Sequence, residues 1–425
     1  MESLDLTRPL VDLGLDSLAA AEVHHAIWSI TGTRVPFDMV LQNQSTADLI
    51  DYILEKEPDF STTKTMMVRH PQVTTYQPTD GQTRYWFYQR ILPASPVYNN
   101  VFAVRLRGEF DESKLEPCLR ALALHHNILR TSFEDAGGQP RAVIHQECGV
   151  DTHIRFFSNE KEREQWGTEF ARQTYHLDSA PLWRVGLGRL VSTDNIGDGL
   201  LIVSAHHIIL DGWSLALLIE QVFANWILTP TSGQLPDTSK TYQFSDFAIW
   251  DAENKPSPQS RSVQYWTHVL ANSNPILDLP TDYPRRIPSG QGKLFVHSID
   301  SELIERARRV ASARGTTVFT VMLAAFAAAL NRYSGQSSFN IGVPTAGRPM
   351  PELRDVLGMF MNTIAIPIDL RDANRWGDVL VRTIETVRQS LEHQDAPFTT
   401  VLNLADVPRD AKHSPLFQVL FAFQN

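Results

Sequence analysis

Two adjacent histidines with an acidic residue close behind them are the pattern in this 425-residue chain that best fits chemistry. They are His206, His207 and Asp211, and Gly212 follows directly. An imidazole changes charge near physiological pH, so either histidine suits a general base or a group that holds a nucleophile. A single histidine at such a place is usually a hydrogen-bonded core residue, but chance seldom produces all four letters at this spacing. We therefore treat them as a candidate catalytic centre.

The segments on either side of this pattern predict how it is held. Residues 200–203 are an apolar run typical of a buried strand, and residues 215–226 have the apolar density of a packed helix. A turn between a strand and a helix is a common place for chemistry, because a rigid scaffold holds an exposed loop there. Neighbouring residues on a strand point to opposite faces, so only one of the two histidines is expected to face a reactant.

The composition excludes several classes of function. The net charge of -10 does not favour non-specific binding to nucleic acid. No apolar run reaches the roughly 20 residues that span a bilayer, and no signal peptide is visible, so we expect no membrane partner. Cys118 and Cys148 are the only cysteines. They support neither a disulfide framework nor a metal site, and they fit a reducing, cytoplasmic location.

The rest of the chain predicts mixed α/β layers. Residues 101–107 alternate as a half-buried strand does, and residues 112–124 predict a helix. Residues 302–333 predict two helices broken at Gly315, and a short strand follows at residues 339–344. Strands that alternate with helices in this way favour an α/β fold.

The first part of the chain differs from the rest. Residues 19–30 predict an amphipathic helix, and Ser17 lies at or beside its start, where serine is a preferred capping residue. Residues 58–75 are polar and irregular and include Pro58 and Pro71. We interpret this stretch as a linker.

Seven motifs occur along residues 76–425, at residues 82–87, 129–133, 206–214, 242–250, 347–363, 393–398 and 409–421. They resemble, in the same order, the motifs of the condensation domains of nonribosomal peptide synthetases, within the acyl-CoA-dependent acyltransferase superfamily. The order is stronger evidence than any single motif. The chain departs from the usual pattern at Gly81, at residues 125–127 and at Met361.

This resemblance implies an α/β fold of two chloramphenicol-acetyltransferase-like lobes in a V, with the histidines at their junction. We predict an N-lobe at residues 76–235 and a C-lobe at residues 236–425. Family members continue beyond the equivalent of Asn425, so the C-lobe is expected to be truncated.

The same resemblance implies a role for each residue of the site. His207 is expected to take a proton from an attacking amine or to hold that amine, and His206 is expected to be structural. Asp211 is expected to pair with Arg348 and to shape the loop. Gly212 is expected to allow close backbone approach and unusual φ/ψ angles. Two further structural positions are expected at the site, Trp213 and Asn362.

Residues 13–18, Leu-Gly-Leu-Asp-Ser-Leu, and the helical pattern at residues 45–53 resemble an acyl or peptidyl carrier domain. The resemblance implies that Ser17 carries covalent 4′-phosphopantetheine, added by a phosphopantetheinyl transferase. Carriers of this family have a long helix before the serine loop, whereas only sixteen residues precede Ser17. We therefore expect residues 1–57 to be a partial carrier domain in an excerpt of a larger assembly-line enzyme. A fungal-type polyketide–peptide hybrid fits such an assembly line.

The predicted function is amide bond formation between a carrier-bound acyl or peptidyl thioester donor and a carrier-bound aminoacyl acceptor. Three alternatives stay open. An epimerising relative shares the histidine motif, although Trp213 and Ser214 fit it less well. An ester-forming or cyclising relative would use the same site. An inactive module that only docks carriers or a partner enzyme is favoured by the truncated ends, while the intact His207 argues against it.

Overall fold

The computed structural model describes residues 6–7, 10, 17–33, 35–36, 39–40, 45–56, 66–191, 198–228, 241–271, 273–284, 292–404 and 413–424. The helices in these ranges are α1 (Ser17–Thr31), α2 (Thr46–Glu55), α3 (Asp80–Ile91), α4 (Leu115–His125), α5 (Glu160–Ala171), α6 (Gly212–Phe223), α7 (Phe244–Glu253), α8 (Arg261–Ala271), α9 (Ser301–Ala313), α10 (Val318–Ser334), α11 (Trp376–Glu392) and α12 (Phe398–Leu404). The strands are β1 (Thr75–Tyr76), β2 (Asn99–Arg107), β3 (Thr131–Asp135), β4 (Pro140–Ile144), β5 (Asp151–Phe157), β6 (Trp183–Leu190), β7 (Asp198–His206), β8 (Ser338–Thr345) and β9 (Asn362–Asp369).

The chain divides into two compact units. The one that contains both histidines, here called the histidine unit, comprises Thr65–Lys255 and Glu352–Phe360. The other, here called the second unit, comprises Met1–Lys64, Pro256–Pro351 and Met361–Asn425. A nine-residue segment late in the chain therefore belongs to the histidine unit, far from that unit's other residues in sequence.

Strand β7 lies inside the main sheet of the histidine unit. The strand order is β2-β7-β6-β5, with β7 antiparallel to both of its neighbours. Most of β7 is buried, as its apolar run predicts. Helix α5 covers the sheet through Trp166, and a Cβ added at Gly186 would lie only 2.8 Å from that indole ring. Glycine at this position thus lets the helix approach the strands closely.

The second unit is built around the antiparallel pair β8 and β9. Its core includes Phe319 and Leu323 of α10 and Ile341 of β8, all fully or almost fully buried. Ala20 of α1 and Leu49 of α2 belong to the same hydrophobic cluster, and α1 packs against α11. The N-terminal helices therefore share the core of the second unit.

Most of the elements predicted from periodicity are confirmed. The two helices broken at Gly315 are α9 and α10, and Gly315 has a φ of 56°, which glycine adopts without strain. The strand at residues 101–107 is confirmed as β2, but its burial is smaller than predicted. Leu106 is the only buried residue of β2, and Val104 is partly buried.

The chain passes from the histidine unit to the second unit at Lys255, and the predicted lobe boundary at residues 235–236 stays a prediction. Helix α7 belongs to the histidine unit, and the carboxylate of its Asp246 accepts a hydrogen bond of 2.7 Å from the backbone N–H of His70. Phe244 of α7 also packs edge-on against Tyr76 of β1.

Four sequence predictions fall partly or wholly outside the described residues. These are residues 13–16 of the carrier motif, the first part of the predicted linker at residues 58–65, the boundary at residues 235–236, and the motif residues Arg409 and Asp410. Within the described part of the chain, no single helix has both the length and the apolar character to cross a membrane. Helices α9 and α10 pass such a test only as a pair, across a bend of 107°.

Candidate active site

His206 ends strand β7 and is 1% exposed. Its Nδ1 accepts a hydrogen bond of 3.1 Å from the backbone N–H of Ile208, so its Nε2 carries the proton and donates to Oε1 of Gln89 at 3.3 Å. Burial, helped by the neighbouring charge of His207, lowers the pKa of His206 to about 3. The ring is therefore neutral, with both nitrogens occupied by the protein.

His207 lies one residue further and is only half-buried. Its backbone N–H donates to the carbonyl of Tyr98 at 2.8 Å, and its ring stacks on Tyr85 with centroids 4.8 Å apart and planes 14° from parallel. Its Nδ1 atom has no hydrogen-bond partner among the described residues. Burial lowers the pKa of His207, its own backbone and the charge of Asp211 raise it, and the charge of Arg84 lowers it further. A neutral imidazole results, as a proton acceptor requires.

Asp211 joins the histidine loop to the late segment Glu352–Phe360. Its side chain is the N-cap of α6, since Oδ1 accepts from the backbone N–H of Ser214 at 2.8 Å. Its Oδ2 accepts from the backbone N–H of Phe360 at 3.0 Å. Asp211 is 3% exposed, so these bonds hold a buried carboxylate in place.

Ser214 makes a second link to the same segment. Its Oγ donates to the carbonyl of Gly358 at 2.7 Å and accepts from the N–H of Gly358 at 3.0 Å. A Cβ on Gly358 would lie 1.9 Å from Cδ2 of Phe244, so this backbone fits only as glycine. The start of α6 is thereby fixed to chain about 140 residues away in sequence.

Gly212 is the first residue of α6. Our expectation of unusual φ/ψ angles is wrong, because Gly212 is not among the residues with positive φ and has begun a regular helix. The expectation of close approach stays a prediction. A Cβ at Gly212 would meet no atom of the described chain within 4 Å, which leaves open space beside the loop. Trp213 next to it is 38% exposed and donates from Nε1 to the carbonyl of Arg354 at 3.1 Å.

The two remaining predicted site residues, Arg348 and Asn362, belong to the second unit. Asn362 organises a turn there. Its Nδ2 donates to the carbonyls of Gln394 and Ala396, both at 2.9 Å, and its Oδ1 accepts from the N–H of Phe398 at 3.2 Å. Arg348 follows Gly347, which has a φ of 64°. The pairing of Arg348 with Asp211 stays a prediction.

Ser17 is the first residue of the 15-residue helix α1. The first N–H groups of a helix have no partner inside it, and they carry the positive end of its dipole. A phosphate bound through a residue at this position would therefore meet favourable charge. The position fits a phosphate-linked group.

Sequence reasoning missed three contributors to the site. Tyr85 and Gln82 lie in the first motif, and Gln82 ties α3 to the loop through a bond of 3.1 Å from Nε2 to the carbonyl of Ile208. Ser214 lies in the central motif. The motifs marked all three positions, but nothing local in the sequence indicates the distant atoms that they contact.

The fold and the histidine loop together define the class of protein. The family model of the condensation domain matches residues 72–425, and the phosphopantetheine attachment site model matches residues 1–53. The chain belongs to the condensation-domain family, the acyltransferases of nonribosomal peptide synthetases, and begins with a phosphopantetheine-binding region.

Similar proteins agree with this membership. The chain is 33% identical over 358 residues to gramicidin S synthase 2 of Brevibacillus brevis, covering 84% of this chain and 8% of that protein. It is 30% identical over 351 residues to malpinin synthetase of Mortierella alpina, covering 81% of this chain and 4% of the relative. The chain thus spans less than a tenth of either curated relative.

Solved structures share the fold. The four-domain nonribosomal peptide synthetase holo-AB3403, bound to AMP and glycine, matches with a TM-score of 0.73 at 24% identity, over 83% of this chain and 26% of that one. The X-domain from teicoplanin biosynthesis, in complex with OxyB, also has a TM-score of 0.73 at 24% identity, over 84% of this chain and 79% of that one. The predicted mixed α/β condensation-domain fold is confirmed.

Proposed function

We propose that this chain forms an amide bond between an acyl or peptidyl thioester and an aminoacyl acceptor, each held on a carrier domain. One observation carries the proposal. A half-buried, neutral His207 directly follows an internal strand, in the histidine motif of a chain of the condensation-domain family. No other histidine of the motif is available, since the protein occupies both ring nitrogens of His206.

The chemistry needs little beyond positioning and one proton acceptor. The acceptor amine attacks the thioester carbonyl, the C–N bond forms, the C–S bond breaks, and the proton lost by nitrogen ends on the departing sulfur. His207 accepts that proton or holds the amine in the attacking position, and a general base typically contributes about 10²–10⁴-fold. Holding both reactants together replaces a bimolecular encounter with a nearly unimolecular one.

Intact-mass spectrometry tests this function directly. A loaded donor carrier and a loaded aminoacyl acceptor carrier are mixed with this chain, and the acceptor is weighed. We expect a gain equal to the donor acyl group. Once the thioester to the carrier is hydrolysed, the released product should stay intact in the mild base that cleaves esters, because its new bond is an amide. A released product that this base splits into donor acid and acceptor would indicate an ester-forming enzyme, and an unchanged carrier mass with binding of both carriers would indicate a docking module.

The fold alone does not choose between these outcomes. The X-domain solved in complex with OxyB has the same fold, and one fold often serves several functions. The exposed Trp213 and the buried Ser214 favour condensation over epimerisation on the motif alone. The accessible imidazole of His207 therefore stays the feature on which the catalytic proposal depends.

The partners follow from this proposal. They are a donor carrier, an acceptor carrier and a phosphopantetheinyl transferase that acts on the N-terminal region. Cys118 and Cys148 are both free thiols, which supports a reducing, cytoplasmic location. The identity of the acyl groups on the two carriers would distinguish a peptide assembly line from a polyketide–peptide hybrid.

Ser17 is the proposed attachment point of 4′-phosphopantetheine, whose flexible arm would supply the thiol that carries an acyl group. Incubation with coenzyme A and a phosphopantetheinyl transferase should add one phosphopantetheine mass to the chain. Ser17→Ala should abolish the addition, whereas Ser29→Ala on the same helix should not affect it. Mass addition that survives in Ser17→Ala contradicts the assignment.

Gly212 provides a separate test of access to the site. Alanine is preferred to glycine in a helix by about 0.5–1 kcal/mol, so Gly212→Ala should leave the melting temperature unchanged or raise it. If a reactant approaches this backbone, the added methyl group displaces it, and misplacement can reduce a rate by up to about 100-fold. Gly377→Ala in the first turn of α11 is the matched control, because a Cβ there also meets no described atom within 4 Å. Equal condensation rates for Gly212→Ala and the parent would exclude this role.

A further inference from the structure

Two kinds of contact can fix the orientation of the His207 ring. Catalytic histidines are commonly fixed by a carboxylate or carbonyl bound to the second ring nitrogen. The Asp211 carboxylate accepts from the backbone N–H groups of Ser214 and Phe360, and the backbone of His207 itself raises the pKa of its ring. An aromatic ring against the face of the imidazole is the second kind of contact.

Tyr85 of α3 makes that contact. Its phenol ring lies parallel to the imidazole, with centroids 4.8 Å apart and 14° between the planes. Tyr85 is 7% exposed, so it also shields that face of His207 from water. Ring contacts of this kind stabilise a structure beyond the area that they bury.

The Tyr85 ring is itself held from other sides. Tyr98 packs edge-on against it, with centroids 5.2 Å apart, and the carbonyl of Tyr98 accepts the backbone N–H of His207. The guanidinium of Arg84 lies 5.4 Å from the centre of the same ring. Gln82 then ties α3 to the carbonyl of Ile208, the residue after His207. Helix and loop are thus fixed to each other on both sides of the stacked pair.

We propose that Tyr85 is a positioning residue, which holds the His207 imidazole in its reactive plane by stacking. The expected effect on the condensation rate rests on the proposed function, whereas the expected effect on the orientation of the His207 ring does not. The ring is the active part of Tyr85 and the hydroxyl is secondary, because the stacked contact involves only the ring.

The charged and titratable groups that face His207 set the sign of a pH test. They are Asp211 from the start of α6, Arg84 and Tyr85 from α3, and His206 from β7. Burial is the largest cause of the lowered His207 pKa. Removing the phenol ring admits water to one face of the imidazole, so the pKa of His207 should rise toward the ordinary value of about 6.5.

Nuclear magnetic resonance tests the structural part without any carrier. The full chain is labelled with ¹³C at the histidine ring Cε1, and the His207 signal is identified by its loss in His207→Ala. In the parent, and in Tyr85→Phe, the stacked ring should shift this proton upfield. In Tyr85→Leu the shift should vanish and the titration midpoint should rise. Phe87→Leu, which changes an exposed ring on the same helix, should leave the signal in place.

Single-turnover condensation tests the kinetic part. Tyr85→Leu should lower the rate at saturating carriers by up to about 100-fold, as loss of orientation can, with little change in carrier affinity. The rising acid limb of its pH–rate profile should move to higher pH, because neutral His207 is the active form. Tyr85→Phe should restore most of the rate and the parental profile.

The outcomes separate this proposal from the proposed function. An unchanged His207 signal and midpoint in folded Tyr85→Leu overturns the positioning role, whatever the activity. Equal loss of rate in Tyr85→Phe and Tyr85→Leu also overturns it, because the hydroxyl would then matter and not the ring. If His207→Ala condenses at the parental rate, the catalytic proposal fails, while the resonance experiment still decides whether Tyr85 orients the ring.

Discussion

His207→Ala should fold as the parent does, bind both carriers, and lose amide formation by about 10²-fold or more, which corresponds to about 2.7 kcal/mol of transition-state stabilisation. The physical reason is that the side chain is half-buried and makes its main ring contact by stacking, so truncation removes a proton acceptor without leaving a buried hydrogen-bonding group unpaired. The measurement is single-turnover condensation with saturating loaded carriers, beside a thermal melt.

His206→Ala is the matched comparison and should show the opposite profile. It removes the acceptor of the Ile208 N–H and the donor to Gln89, in a place that is almost fully buried. A buried polar group left without a partner costs about 1–3 kcal/mol, so the melting temperature should fall and the rate should fall mainly as a consequence.

The pH dependence of stability gives an independent check of His206. Its folded pKa of about 3 lies below its unfolded value, so the unfolded chain takes up the proton first as pH falls. The stabilisation from neutral His206 is therefore present above about pH 6.5 and is lost as pH falls from there toward 3. His206→Ala should remove this share of the acid sensitivity.

The activity comparison has one outcome that reverses the two roles. In that outcome His207→Ala condenses at the parental rate, while His206→Ala is folded but inactive.

Asp211→Ala should be the most destabilising substitution at the site. The change removes the N-cap of α6, which is typically worth about 0.5–2 kcal/mol. It also leaves the N–H of Phe360 without its acceptor, and a buried donor in that state costs about 1–3 kcal/mol. The combined loss of unfolding free energy is measured by denaturant unfolding at neutral pH, with a spectroscopic probe in the histidine unit as the signal.

Two further variants divide the Asp211 effect. Asp211→Asn keeps one amide oxygen as an acceptor and should lose about half of the stabilisation, since an amide nitrogen cannot accept from Phe360. A double-mutant cycle with Arg348→Ala tests the predicted ion pair, because breaking a well-buried pair costs about 3–5 kcal/mol. Additive effects would exclude the pairing and leave the capping role intact. Unchanged stability of Asp211→Ala would contradict both.

The sequence by itself determined the elements and the order of the motifs. The apolar run before the histidines fixed β7, because a strand paired on both sides buries nearly every residue. The apolar density of residues 215–226 identified α6, but its start at Gly212 with Asp211 as N-cap lies three residues before that run. The alternation at residues 101–107 identified β2 but not its exposure, since exposure depends on what packs against the faces of the sheet.

Only the tertiary structure decided which distant groups complete the site. The Glu352–Phe360 segment joins the histidine unit because its backbone bonds Asp211 and Ser214, across 144–149 residues. The stacking of Tyr85 on His207 likewise joins residues about 120 positions apart. Local periodicity reports which face of a helix or strand is buried, but not what covers it. Such contacts are set by packing and by the need of buried polar groups for partners, and these appear only when the whole chain is folded.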